Sequence, residues 1–149
     1  MKAILILFFS CTVFAQSASE LEADLQKHPD HLNARTQLGN IYLQQKNYEK
    51  VIALLNSYTD QLTNQGFLAL ASAYSNRKEY VDEVRTLNLL VLKEPDDFHW
   101  HMLLGQAYLK EVSIQGDYIK KKDLATLAIQ QFRQSLKLQP KYKPAYDIC

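Results

Sequence analysis

Three short stretches of the chain superpose: Leu38-Gly39-x-x-Tyr42, Leu70-Ala71-x-x-Tyr74 and Leu104-Gly105-x-x-Tyr108, which begin 32 and then 34 residues apart. A second mark follows at fixed distance, since Tyr48 lies six residues after Tyr42 and Tyr80 six after Tyr74. A period of this length is that of a helical hairpin. Leu38, Ile41 and Tyr42 share one helical face, and after the polar break Gln44-Gln45-Lys46-Asn47 a second face is written by Tyr48, Val51, Ile52 and Leu55. Gly39, Ala71, Ala73, Gly105 and Ala107 fall inside the first helices, where a glycine costs up to about 1 kcal/mol. Such small residues read as places where a partner helix crosses closely. One hairpin has only its own second helix to lean on, so units stack to bury their outer faces.

Prolines punctuate the units. Pro29, Pro95 and Pro140 each precede a first helix, and Pro29-Asp30 and Pro95-Asp96 suit a turn followed by the positive end of a helix. The chain has only four Pro and four Gly in 149 residues, which favours long helices over a turn-rich β fold. The pattern predicts helices near 18–28, 31–45, 48–59, 64–77, 80–93, 96–113, 120–138 and from 142 onward. Hydrophobic residues at 47% and charged residues at 22% are ordinary for one soluble domain.

These residues resemble the tetratricopeptide repeat, whose pattern runs W-x2-L-G-x2-Y, an aromatic, A-x3-F and a closing P. The third unit matches best, through Leu104, Gly105, Tyr108, Ala128, Phe132 and Pro140. The first carries Leu38, Gly39, Tyr42 and Tyr48, with Val51 and Leu55 at the Ala and Phe places. The second carries Phe67 at the Trp place, then Leu70, Ala71, Tyr74, Tyr80, Leu87 and Pro95. The resemblance implies an all-α fold, an α-solenoid of stacked antiparallel hairpins with units at about 29–60, 61–95 and 96–140 and a partial or capping helix at 141–149. Departures stand out. Glu83 occupies a small-residue place, so the second hairpin is expected to pack less closely or slip by one position. Trp100 falls one residue before the expected aromatic place, which His101 holds. The third unit is 11 residues longer between its helices, with Gly116-Asp117 and Lys120-Lys121-Lys122 in the excess. After Pro140, Pro144-Ala145-Tyr146 looks like the opening of a fourth unit, either a cap on the third hairpin or part of a longer array.

Residues 1–15 read as a leader rather than as fold. Lys2 gives a positive start, Ala3 to Phe9 is apolar, and Val13-Phe14-Ala15 suits a signal peptidase, so cleavage after Ala15 and a periplasmic or secreted, bacterial location are expected. A span needs about 20 apolar residues, so no stable membrane span is expected. A lipoprotein attached through Cys11 is the weaker alternative, because Phe8-Phe9-Ser10 lacks the usual leucine three places ahead. Loss of the leader removes one of the 17 basic residues and no acid, which leaves 16 of each sign. Nothing forms the basic stripe that nucleic acid requires. The remaining portion, 16–149, keeps only Cys149, so no internal disulfide is expected.

No constellation of catalytic or metal-binding type emerges, and no enzyme, cofactor or metal is expected. His28 and His31 flank a turn, while His99 and His101 lie two apart and point to different sides of a helix. Glu20, Glu22, Asp24, Asp96 and Asp97 suit helix starts and solvated faces. Tyr42, Tyr48, Tyr74, Tyr80 and Tyr108 recur at repeat spacing and read as core. Lys120-Lys121-Lys122 reads as a solvated face, with contact to an acidic surface or anionic lipid as the alternative.

In the resembling family the first helices line a concave groove that receives a polypeptide. The places carry over to Asn33, Thr36, Gln37, Asn40, Leu43 and Gln44 in the first unit, and to Gln65, Leu68, Ala69, Ser72, Ser75 and Asn76 in the second. The third gives His99, Met102, Leu103, Gln106, Leu109 and Lys110. This lining is neutral and rich in amides, turning apolar in the third unit; amides suit a partner's backbone, and Met102 and Leu109 suit an apolar anchor. Of the places with which some relatives grip a C-terminal carboxylate, Thr36, Asn40, Ala69, His99 and Leu103, only Asn40 agrees. The expectation is therefore an exported adaptor for a protein or peptide, engaged in envelope complex assembly. A self-associating homo-oligomer, or a segment of a longer array, is the alternative.

Overall fold

The computed structural model describes residues 18–140; the leader with Cys11 and its cleavage point, and the helix expected beyond Pro140, lie outside the described residues. Among the described residues every regular element is helical. Helix α1 covers 18–27. It is followed by α2 (Leu32–Gln44), α3 (Tyr48–Leu55), a 3-10 turn (Asn56–Tyr58), α4 (Asn64–Asn76), α5 (Tyr80–Lys93), α6 (Phe98–Ile114) and α7 (Tyr118–Leu138). The chain divides into two compact units, the first up to Ala73 and the second from Tyr74.

The first unit holds the α2–α3 hairpin. Its core takes Leu38 and Tyr42 from α2 and Val51 and Leu55 from α3, all buried at the places the repeat assigns to them. A methyl group on Gly39 would meet a Leu55 methyl at 3.0 Å, so the small residue marks a close helix crossing. Arg35, which no repeat position calls for, is buried too. Its guanidinium donates to the carbonyls of Pro29 and Leu54 and lies 3.5 Å from the ring centre of Tyr58. One cation thus collects the carbonyl of the turn before α2 and one from the last turn of α3, where the helix dipole favours positive charge.

The second unit pairs α6 with α5 on one side and with α7 on the other, the latter being the more extensive contact. Leu87, Leu104, Ala107, Ala128 and Phe132 form its core. Gly105 repeats the role of Gly39 more severely, since an added methyl would come within 2.7 Å of the Phe132 ring.

Two hairpin turns are built alike. Lys46 and Lys78, 32 residues apart, both take left-handed backbone at φ 58° and 62°. Lys46 N–H donates to Leu43 O and Asn47 N–H to Tyr42 O, while Lys78 N–H donates to Ser75 O and Glu79 N–H to Tyr74 O. This is the Schellman arrangement, which satisfies the last carbonyls of α2 and α4 and turns the chain into the next helix. The second turn shows no slip by one position, although Glu83 lies one turn beyond it.

The third turn differs. Gln115 ends α6 in extended backbone, and Asp117 caps α7 by accepting from Lys120 N–H at 3.0 Å. Asn47 caps α3 and Asp97, rather than Asp96, caps α6, whereas His31 at the start of α2 makes no side-chain cap. The 11 extra residues of the third hairpin form no loop. Helix α6 has 17 residues against 13 in α4, and α7 has 21 against 14 in α5, which accounts for the whole excess.

Candidate functional site

The side chains expected to line a binding face sit on α2, α4 and α6, and each unit displays its own set. In the first, Asn33, Gln37 and Gln44 are exposed, and Asn40 and Leu43 are half-buried along α2. Thr36 is buried, with its hydroxyl 3.3 Å from that of Thr63, so it offers a visitor little surface. On α4, Gln65 is exposed, Leu68 and Ser72 are half-buried and Ala69 is buried. Asn33, Gln37, Asn40 and Gln44 recur every three or four residues, which places them on one side of the helix.

Two of these amides, Asn33 and Gln37 of α2, share the lining of a cleft of about 440 Å³ with His31 and with Glu20 and Asp24 of α1. The His31 imidazole is 2.5 Å from the Asp24 carboxylate. The wall supplied by α1 is rich in acceptors and the wall supplied by α2 is amide, so the cleft suits a visiting donor group. In the sequence these acids read only as helix-start charges. Their meeting with Asn33 and Gln37 depends on how α1 folds back, which no local spacing encodes.

A second cleft, of about 490 Å³, opens between α1, α2 and α3, with Glu22, Tyr42, Leu38 and Lys50 among its lining. There the Tyr42 hydroxyl donates to Glu22. Burial, reinforced by that carboxylate, pushes the phenol of Tyr42 up to about 12, and burial together with nearby Asp82 and Glu79 raises Tyr74 in the same direction. Lys50 lies over the Tyr42 ring at 4.8 Å. Tyr42, Tyr74 and Tyr108 thus serve the packed side of the helices, whereas Tyr48 and Tyr80, also expected in the core, are half-buried.

In the second unit Asn76, His99 and Leu109 are exposed, while Ser75, Met102, Leu103, Gln106 and Lys110 are half-buried. His99 is turned toward Asp97, with Nδ1 and the carboxylate 3.0 Å apart. Lys110 has an internal task. Its ammonium donates to Ser75 Oγ at 2.7 Å and to Glu83 Oε1 at 2.6 Å. Glu83, at the place of a small residue, is only 4% exposed, and its Oε2 has no hydrogen-bond partner among the described residues. A buried carboxylate demands a counter-charge, and Lys110 supplies it from the face expected to bind. The departure at Glu83 was the available signal; its partner, 27 residues away, was not readable.

His101 replaces the aromatic of the repeat by bonding rather than by bulk. It is buried, with Nε2 at 2.8 Å from the Pro95 carbonyl and Nδ1 at 2.8 Å from the Gln131 carboxamide, which ties the start of α6 to α7. Trp100 Nε1–H donates to Glu94 at 3.0 Å. Among the described residues no cluster of His, Cys, Asp and Glu is arranged to hold a metal ion. No helix among them is long and apolar enough to cross a membrane.

A tetratricopeptide-repeat family model matches residues 14–67, the stretch that contains α1, α2, α3 and the start of α4. Among solved structures, MamA from Desulfovibrio magneticus RS-1 is similar in fold, with a TM-score of 0.66 at 16% sequence identity over 93% of this chain and 73% of that one. At that identity the likeness concerns the fold alone. No curated relative matches the sequence.

Proposed function

We propose that this chain is an exported adaptor that captures a polypeptide partner on the exposed sides of its first helices, in the assembly of an envelope complex. One observation carries the reading. The side chains of Asn33, Gln37, Asn40 and Gln44 make no hydrogen bond among the described residues, while the polar side chains on the packed side of the same helix, Arg35, Thr36 and Tyr42, are bonded. Amides with both donors and acceptors to spare suit the backbone of a bound segment. The cleft beside Asn33 and Gln37 adds acceptors for a basic or amide side chain. In the second unit Met102, Leu103 and Leu109 offer an apolar anchor, and Lys110, already paired with Glu83, adds little net charge. Binding through such a surface depends weakly on salt.

Export rests on the sequence of residues 1–15: a basic start, an apolar run and Val13-Phe14-Ala15. The family likeness supports a role in protein interaction at the coarse level. Self-association through the repeat is the competing reading, and sedimentation of the purified chain separates the two. The direct test replaces Asn40 and Met102 with Ala. Capture of the partner is expected to fall at least tenfold while the melting temperature stays within about 2 °C, because neither side chain is fully buried. Undiminished capture by the doubly substituted chain contradicts the proposal.

A further inference from the structure

The excess length of the third hairpin lies at its tip. Aligned on Tyr74 and Tyr108, α6 runs four residues past the end of α4, and aligned on Pro95 and Pro140, α7 starts seven residues before the place where α5 begins. That tip carries Ile114, Tyr118 and Ile119 at 59%, 80% and 69% exposure, on either side of the turn Gln115-Gly116-Asp117. Lys120, Lys121 and Lys122 follow at once, two of them exposed and one half-buried. At the matching places beside the other two turns stand Gln44, Tyr48 and Glu49, and Asn76, Tyr80 and Val81, where the tyrosines are half-buried and Val81, at 54%, is the one large exposed hydrophobic. A chain gains nothing in water by lengthening a hairpin to display two isoleucines and a tyrosine.

The combination has a counterpart in one kind of surface. At a bilayer interface aliphatic groups sit below the phosphates, a phenol ring sits at headgroup level, and ammonium groups meet the phosphates. We propose that the tip of the α6–α7 hairpin docks reversibly on an anionic lipid surface, with Ile114, Tyr118 and Ile119 among the headgroups and Lys120, Lys121 and Lys122 on the phosphates. Charge complementarity selects this occupant. A bilayer needs no groove to accept exposed side chains, and its phosphates meet the ammonium groups that follow them. The opposing acids are Glu111, half-buried in the last turn of α6, Asp117, engaged in capping α7, and Asp123 just beyond the lysines, so the three consecutive ammonium groups act as a local cluster and not through a net positive charge of the tip. Three lysines are fewer than a polybasic patch that binds by charge alone, so apolar insertion and charge have to act together.

Amide hydrogen exchange on the full chain tests this, with vesicles of phosphatidylglycerol and phosphatidylethanolamine compared with vesicles of phosphatidylcholine alone. Residues around 113–122 are expected to gain protection on the anionic vesicles only and to lose it in high salt. Replacing Tyr118 and Ile119 with Ser is expected to weaken the apparent partition about tenfold or more. Neither side chain belongs to the core, so the variant folds, which circular dichroism verifies. The proposal is overturned by protection confined to residues 1–17, by equal protection on phosphatidylcholine, or by none. Protection of the tip that rises with protein concentration in the absence of vesicles also overturns it, because a second copy would then be the occupant.

Discussion

Gly39 and Gly105 hold equivalent places in two hairpins, yet they face different neighbours. Beside Gly39 an added methyl would meet the nearest methyl of the buried Leu55 at 3.0 Å, whereas beside Gly105 it would meet three ring atoms of the equally buried Phe132 at 2.7 to 2.9 Å. Alanine at either place gains up to about 1 kcal/mol of helix propensity. At Gly105 the clash wins: Gly105→Ala is expected to lower stability by roughly 1–3 kcal/mol, whereas Gly39→Ala stays near neutral. Urea midpoints measure both, and equal midpoints for the two variants would refute the close crossing at Phe132. Tyr42 gives a second residue-scale prediction. Its phenol is held protonated up to about 12, while an unfolded chain loses that proton near 10.0. Between those values the unfolded state binds fewer protons, so stability falls as pH rises, by roughly 2–3 kcal/mol in all. Below pH 10 the contribution is fully present. Tyr42→Phe should remove this alkaline loss, and an unchanged pH profile of unfolding would show that Glu22 and burial do not hold the proton. The small residues at the crossings were legible in the sequence because they recur at the period. Arg35 and the Glu83–Lys110 pair were not, because each depends on atoms brought together from distant turns of the chain.

At the scale of elements, hydrophobic periodicity placed the helices of the described residues to within a few residues, for it records which face is buried. The expected helix at 96–113 is observed at Phe98–Ile114, and the one at 120–138 begins two residues earlier, at Tyr118. What periodicity does not record is the fate of an insertion. The extra four and seven residues of α6 and α7 correspond to about one and two helical turns, so the buried stripe keeps its direction on both helices. The buried residues of α7, Ala128, Phe132 and Ser135, all follow the added turns. Removing 111–114 together with 118–124 is therefore expected to leave a folded protein whose melting temperature falls by no more than about 5 °C. Calorimetry checks this, and loss of the cooperative transition would mean that the added turns belong to the core. The turn at Lys46 was legible as a polar break and the one at Lys78 as the gap between two expected helices, but their left-handed lysines were not, since a lysine rarely marks that conformation.

For the molecule as a whole, the repeat was legible because three copies of one pattern at nearly constant spacing leave few other ways to bury the same residues. The candidate binding face comes only from the resemblance to a family. The structure leaves Asn33, Gln37, Asn40 and Gln44 accessible, buries Thr36 and Ala69, and engages Lys110 with Glu83. Those differences are matters of packing and charge pairing, which repeat positions do not specify. The central claim is that the first helices, not the second, meet a partner. It is tested most directly by photo-crosslinking in the native host from Asn40 and Gln106, with exposed Arg85 and Leu92 of α5 as controls. The account predicts that Asn40 and Gln106 trap the same polypeptide and the α5 positions trap none. Trapping from α5 as efficient as from α2 and α6, or no trapped polypeptide at either first-helix position, would contradict it.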